Sequence, residues 1–147
     1  MAIKKSIQDK IKKVLGQGFV YPFGFSNTTG GVSLQKTDTD EQSVEMINAS
    51  LRVLLGVIIR EVFMDREFGS FLYNAQDEPI GRSLEIDIRR YVFDAIENYE
   101  KRISIINTYV DSSEGDAGIV NISIEYKILK TYQYGSYVYP FYLGQVA

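Results

Sequence analysis

The strongest pattern in the chain is a helical stripe of apolar residues between about position 43 and position 65. Its members recur at spacings of three and four, which places them on one face of an α-helix: Val44, Ile47, Leu51, Leu54, Leu55, Ile58 and Val62. The opposite side also carries apolar residues, so we expect this helix to be covered on two sides. Thr39 and Gln42 have capping-box spacing at its start. We predict that the helix stops near Asp65, before the turn at Phe68 and Gly69.

A second amphipathic helix is predicted after the polar connection at residues 74–81. Ser83 is placed to cap it, and Glu85 and Asp87 suit the positive end of its dipole. Its apolar stripe consists of Leu84, Ile88, Tyr91, Val92, Ala95 and Tyr99. This stripe is expected to pack against the stripe of the first helix.

Beyond residue 102 the apolar period changes from that of a helix to that of a strand. Ile103 to Asp111 is rich in β-branched residues, and Val120 to Ile128 alternates strictly between apolar and polar positions. The two segments predict an antiparallel pair with one face in solvent. The tail from Tyr132 to Leu143 is aromatic at nearly every second residue, and Pro140 marks it as an edge or free strand.

The first 31 residues differ from the rest of the chain. A short amphipathic helix is predicted there, followed by a glycine-rich and aromatic loop from residue 16 to residue 31. Phe19, Tyr21 and Phe23 alternate along this loop, as side chains do that anchor an extended segment in hydrophobic grooves. We predict an arm at residues 1–31 and a single domain at residues 32–147. The element order predicts an α+β fold, with two main helices on one face of a small antiparallel sheet that ends in an edge strand.

Composition narrows the functional classes. With 147 residues the chain fits one domain, and its 11 Tyr and 8 Phe exceed what one small core needs, so some should face a partner. The net charge is -3 and no basic run follows Lys13, which disfavours nucleic acid as a partner. The apolar run from Val53 to Ile59 is bounded by Arg52 and Arg60 and is too short for a membrane span. No apolar signal-peptide core is present near the start, so we expect no cleaved secretory signal and a protein that is made and used from the cytoplasm.

Catalysis is disfavoured because the chain contains neither His nor Cys. Glycoside hydrolysis needs only two carboxylates, and the available ones are Glu61, Asp65, Glu67, Asp77 and Glu78. Nothing in their spacing gives one of them an apolar and another a polar environment, which is what separates an acid from a base. The acidic residues Asp111, Glu114 and Asp116 lack the calcium-loop pattern. We therefore expect no enzyme activity, no cofactor and no metal.

Four segments, in order, carry a resemblance to a known family. They read GQGFVYPF, DEQSVEMINASLRVLLG, MDREFGSFL and YEKRISI. With these segments the chain resembles the phage baseplate assembly protein W family, the tail sheath initiators or inner baseplate wedge subunits of contractile tails and injection systems. The family's Gly-Glu-Arg turn aligns with Arg60-Glu61-Val62, from which we expect a longer helix and a different turn. Its Glu-Pro-Arg signature aligns with Glu100-Lys101-Arg102.

The resemblance implies a structural adaptor in the baseplate of a virion or injection particle. Such a protein sits on the inner ring around the tube, is held by the helical core bundle of the wedge, and offers a strand template to the first sheath ring. The implied partners are the tail sheath protein and baseplate wedge proteins, with tube or hub proteins as further candidates. A small peptide-binding or ligand-binding module, built from the aromatic loop and tail, is the alternative from another class.

Two sets of candidate contact residues follow. The set for the wedge is Glu100, Arg102, Phe68, Phe19, Tyr21 and Phe23. The set for the sheath, where strand addition would use an open edge, is Tyr134, Tyr137, Val138, Tyr139, Phe141 and Tyr142. For Glu100 and Arg102 the competing interpretation is an ion pair within the chain at the exit of the second helix.

Overall fold

The computed structural model describes residues 40–112 and 118–144 of the chain. The predicted arm at residues 1–31, with Phe19, Tyr21 and Phe23, lies outside the described residues, as does Thr39. The division of the chain after residue 31 therefore stays a prediction. The middle of the hairpin turn, residues 113–117, is also outside the described part.

The described residues form two α-helices and a three-stranded antiparallel sheet, which confirms the predicted α+β class. The elements in chain order are α1 (Asp40–Gly56), a 3-10 helix (Leu72–Ala75), α2 (Arg82–Tyr99), β1 (Ile103–Asp111), β2 (Ile119–Ile128) and β3 (Tyr134–Tyr142). None of the helices within residues 40–112 and 118–144 is both long and apolar enough to cross a bilayer.

Helix α1 ends at Gly56, so the predicted end near Asp65 is wrong. The chain instead turns back, and the Ser70 N–H donates to the Val57 carbonyl at 2.9 Å while the Ser70 hydroxyl donates to the Leu55 carbonyl at 3.0 Å. Gly69 makes this approach possible, because a Cβ there would lie 2.5 Å from the Val57 carbonyl oxygen at a φ of +127°. The helical spacing of Ile58 and Val62 thus occurs in a folded loop.

Helix α2 begins at Arg82, two residues before the start that a cap at Ser83 predicts, so Ser83 lies inside the helix and does not cap it. The capping position is occupied by Gly81, which has no side chain to bond the first N–H groups of the helix. The buried face of α2 consists of Leu84, Ile88, Val92, Ala95 and Ile96. Tyr91 and Tyr99 of the predicted stripe are only half-buried, because the buried face is centred closer to Ile96.

Strand β2 lies in the middle of the sheet, between β1 and β3. Its predicted inner face is fully buried and consists of Val120, Ile122, Ile124, Tyr126 and Ile128. The Tyr126 hydroxyl crosses to α1 and donates to Asn48 Oδ1 at 2.7 Å. Gly135 of β3 pairs with Tyr126, and a Cβ at Gly135 would lie 2.6 Å from the tyrosine ring. The sheet and both helices therefore share one apolar core, with Leu72 and Ala75 of the 3-10 helix in the same cluster.

Candidate interaction surfaces

Glu100 and Arg102 form a two-pronged ion pair within the chain. The Arg102 Nε donates to Glu100 Oε1 at 2.5 Å, and its Nη2 donates to Glu100 Oε2 at 2.5 Å. The Ser50 hydroxyl of α1 also donates to Glu100 Oε2, at 2.7 Å. Paired bonds of this geometry fix the planes of both groups. The carboxylate thus joins α1, the end of α2 and the start of β1.

The environment keeps both members of this pair ionised. Burial acts to raise the pKa of Glu100, but the hydrogen bonds from Arg102 and Ser50 and the charge of Arg102 outweigh it, so the pKa lies below its usual value. The hydrogen bond to Glu100 raises the pKa of Arg102. Glu100 is 4% exposed, whereas the Arg102 side chain is 34% exposed. Of the two, Arg102 is the one that a partner can reach.

Phe68, the third candidate wedge residue of the described part, is half-buried. Its ring meets Tyr99 edge to face, with centroids 5.2 Å apart. Next to this pair lies an open groove of about 1090 Å³, whose lining includes Arg60, Arg66, Phe71, Tyr73, Tyr91 and Tyr99. Glu67 and Asp94 lie in the same lining, so the groove carries both signs of charge.

The six candidate sheath residues lie on two faces of β3. Tyr137, Tyr139 and Phe141 pair with the buried residues of β2 and face the helical layer. Phe141 is 7% exposed and is a core residue, so it is not available as a contact in the folded chain. Burial raises the pKa of both Tyr137 and Tyr139. Tyr134, Val138 and Tyr142 lie on the opposite face and are 55–70% exposed.

The free edge of β3 is defined by its hydrogen-bonding alternation. The Ile128 N–H donates to the Gln133 carbonyl and the Leu143 N–H to the Gly118 carbonyl, at 2.8 Å each. In an antiparallel pair every second residue bonds across the ladder, so the odd-numbered residues of β3 face β2. The backbone groups of the even-numbered residues, including Val138 and Pro140, face away from the sheet.

Two side chains cover part of this edge. Asn48 Nδ2 donates to the Ser136 carbonyl at 3.4 Å, and Gln76 Nε2 donates to the Tyr142 carbonyl at 3.2 Å. Within residues 40–112 and 118–144, the edge-facing backbone between these points, around Val138, is the stretch that the described residues leave open. Sequence reasoning missed Asn48, Gln76 and Ser50, because a polar residue on a helix or loop carries no periodic signal of its distant partner.

Comparison with known proteins identifies the family to which this architecture belongs. A sequence model of the family described as baseplate wedge protein gp25 matches residues 41–133. The chain belongs to the baseplate wedge protein gp25 family. This confirms the resemblance found from the sequence, and the protein is a structural baseplate component of the contractile-tail and injection-particle class. No curated protein matches the chain.

Two solved structures are similar to this gp25-family chain. One is a chain of the anti-feeding prophage baseplate, with 27% identity and a TM-score of 0.70, covering 82% of this chain and 90% of that one. The other comes from Geobacter sulfurreducens and is described as a candidate tail lysozyme. It has 30% identity and a TM-score of 0.65, and the match covers 70% of this chain and 93% of that one.

The turn after α1 has an unusual backbone in this gp25-family chain. Arg60, which aligns with the glycine of the family's Gly-Glu-Arg turn, has a φ of +76°. Its N–H donates to the Arg66 carbonyl at 2.9 Å, which closes the loop. The expectation that losing the glycine would lengthen the helix is therefore wrong. Arg60 itself adopts the left-handed conformation that glycine favours.

Proposed function

We propose that this protein links the inner baseplate wedge to the first ring of sheath subunits and starts sheath assembly by strand addition at β3. The observation that carries the proposal is the open β3 edge around Val138, beside the exposed side chains of Tyr134 and Tyr142. A strand added there would gain main-chain hydrogen bonds of about 0.5–1.5 kcal/mol net each. The exposed rings would add specificity.

The two edges of the sheet are not equivalent. Strand β1 has a register shift between Ile105 and Asn107, and such bulges discourage pairing with a further strand. Strand β3 pairs with β2 without a shift over its whole length. Pro140 lacks an N–H on the free side of β3, which limits an added strand to the groups on either side of it. These features favour β3 and a short strand.

Val138→Pro tests this mechanism, because it removes an edge-facing N–H and leaves the ladder to β2 in place. Val138→Ala is the matched control, since it removes most of the side chain and keeps the N–H. We expect Val138→Pro to give baseplates without full-length sheath in electron micrographs of assembled particles, and Val138→Ala to give normal particles. Full-length sheath on Val138→Pro baseplates, with a Tm near that of the wild type, would rule out strand addition at this edge.

Attachment to the wedge is assigned to Arg102 and the Phe68 region. Glu100 holds the Arg102 guanidinium in place, and the Arg102 side chain as a whole is one-third exposed, as a preorganised anchor should be. Phe19, Tyr21 and Phe23 of the arm are proposed as additional wedge contacts. Tube or hub proteins are further candidates, and we place assembly in the bacterial cytoplasm.

The wedge contact is tested with Arg102→Ala and a control that disturbs the same network from inside. Arg102→Ala removes the exposed guanidinium, whereas Ser50→Ala removes only the inner hydrogen bond to Glu100. We expect Arg102→Ala to be lost from purified baseplates and Ser50→Ala to be retained. Both variants should be compared at equal folded fraction, because Arg102→Ala also leaves Glu100 without its cation. Normal incorporation of Arg102→Ala would show that the pair serves only the fold.

We also propose that the chain has no catalytic role, although one similar structure is described as a candidate lysozyme. The carboxylates Glu61, Asp65, Glu67 and Asp77 are exposed, and Glu78 is half-buried. A general acid needs an apolar environment that keeps it protonated, and exposure does not supply one. The purified protein should leave peptidoglycan intact. Turnover that disappears in Glu61→Gln or Glu67→Gln would overturn this proposal.

A further inference from the structure

One end of the sheet collects basic and aromatic side chains from three segments. It is formed by the residues before β1, the last residues of β2 and the turn into β3. Ser104 pairs with Lys127, and Lys127 pairs in turn with Tyr134. The Leu129 N–H donates to the Arg102 carbonyl at 2.9 Å, so the turn is fixed against the start of β1. We call this region the basic end, defined by Lys101, Arg102, Lys127, Lys130, Tyr132 and Tyr134.

Lysine is concentrated at the basic end, and the exposed carboxylates of Glu97 and Glu125 lie at its margin. Lys101, Lys127 and Lys130 are all the lysines of residues 40–112 and 118–144, and all three are at this end. Residues 101–110 and 126–144 contain no Asp or Glu. The neighbouring Glu100 is buried and neutralises Arg102. The basic end therefore carries an excess of positive charge, on a protein whose net charge is -3.

The two tyrosines are arranged around a lysine. Lys127 Nζ lies 4.9 Å from the Tyr132 ring centroid and 5.5 Å from that of Tyr134. Tyr132 and Tyr134 are 71% and 70% exposed. Tyr132 also has a φ of +58°, a backbone conformation that a bulky residue rarely adopts. The Tyr132 N–H donates to the Ile128 carbonyl at 2.9 Å, so this conformation closes the turn from β2 into β3 and fixes the ring at this end of the sheet.

We infer that the basic end binds an acidic segment of a partner protein. Carboxylates of such a segment would meet Lys127, Lys130 and the exposed part of Arg102, and its apolar atoms would lie on the faces of the two tyrosines. A nucleic-acid strand is the weaker match. Its regularly spaced phosphates would continue past the patch toward the exposed carboxylates of Glu97 and Glu125, on a chain of negative net charge.

This inference rests on the proposed function only for the partner's identity, because it assigns acidic chemistry to the wedge protein that meets Arg102. Its test contains no wedge or sheath protein, so a negative result leaves the proposed function standing. Loss of Arg102→Ala from baseplates, in turn, would not depend on peptide binding.

The probe is a short fluorescent peptide of alternating glutamate and serine, compared with a peptide that has glutamine in place of glutamate. Binding is followed by fluorescence anisotropy at low and at physiological ionic strength. We expect the acidic peptide to bind, with affinity that falls as salt rises, and the glutamine peptide to bind far more weakly. The double variant Lys127→Glu with Lys130→Glu should bind the acidic peptide at least about tenfold more weakly than the wild type does.

Arg82→Glu with Arg89→Glu is the matched control, because it makes the same change in charge at exposed positions of α2. This control should bind within about twofold of the wild type. The single variant Lys130→Glu is tested as well, so that the result does not depend on a double variant that folds poorly. This single variant should bind the acidic peptide about threefold more weakly than the wild type does. Circular dichroism establishes that each variant is folded.

Three results would overturn the inference. The first is unchanged binding by Lys130→Glu and by the double variant. The second is an equal loss in the α2 control, which would show that the peptide senses overall charge. The third is tighter binding of an oligothymidylate than of the acidic peptide, lost in the same lysine variants, which would make the basic end a nucleic-acid surface.

Discussion

At the scale of single residues, three positions carry consequences beyond their own side chains. Gly69 permits the return of the loop onto α1, and Tyr132 holds a ring at the basic end in a strained backbone. Arg60 keeps a left-handed backbone in the turn that follows α1. A left-handed conformation costs a residue with a Cβ about 1–2 kcal/mol relative to glycine. The backbone at Arg60 is therefore strained, and a single substitution can relieve this strain.

We predict that Arg60→Gly increases the free energy of unfolding by about 0.5–1 kcal/mol. Relief of the strain is partly offset by the greater freedom of glycine in the unfolded chain. Urea unfolding measures the change. Arg66→Gly, in the same loop but without a positive φ, is the control and should be destabilising. A loss of stability in Arg60→Gly equal to that of the control would show that the turn is not strained.

At the scale of elements, the decisive contacts are those that fix β3 against β2 and α1. Val120 pairs with Phe141, and Tyr126 pairs with Gly135, so a large ring faces a residue without a side chain. The Tyr126 ring fills the space at Gly135, and its hydroxyl reaches Asn48 of α1. Gly135 therefore sets how closely the edge strand lies against the helical layer.

We predict that Gly135→Ala lowers the free energy of unfolding by about 1–3 kcal/mol, because the added methyl group overlaps a fully buried ring. Gly56→Ala is the control. Its Cβ would be 3.7 Å from the nearest atom, the Tyr139 hydroxyl, and alanine favours the helix. Urea unfolding of both variants makes the comparison. Equal stability of the two variants would mean that Tyr126 moves aside without cost.

At the scale of the whole molecule, Glu100 is the polar centre that joins the layers. Its carboxylate binds Ser50 of α1 and Arg102 before β1, at the exit of α2. Because its pKa is lower in the folded state than the ordinary value of 4.5, the pair stabilises the fold above that pH. This contribution is lost as the pH falls through the folded pKa.

We predict that Glu100→Gln lowers the free energy of unfolding by about 1–3 kcal/mol at pH 7, and that its difference from the wild type shrinks as pH falls below about 4. Urea unfolding between pH 3 and pH 7, at roughly equal ionic strength, tests both parts. The exposed Glu97→Gln is the control and should differ little from the wild type throughout. If the difference in unfolding free energy between Glu100→Gln and the wild type were as large in acid as at neutral pH, the assigned ionisation of Glu100 would be contradicted.

Much of the fold could be predicted from the sequence, because burial imposes a period on the chain. The alternation from Val120 to Ile128 predicted a strand with one buried face, and every apolar member of it is buried. The order of helices and strands predicted the α+β class. The Pro and aromatic pattern of the tail predicted an edge strand with rings on two faces, and β3 is such a strand.

Only the tertiary structure decided where contacts between distant segments override local pattern. The end of α1 at Gly56 depends on Ser70, which donates to the carbonyls of Leu55 and Val57 from fifteen and thirteen residues away. Glu100 and Arg102 were recognisable as a charged pair, but their closure onto Ser50 arises from the packing of α1 against the exit of α2. The basic end arises in the same way. Its residues are separated in sequence and come together through strand pairing, which a period along one segment does not encode.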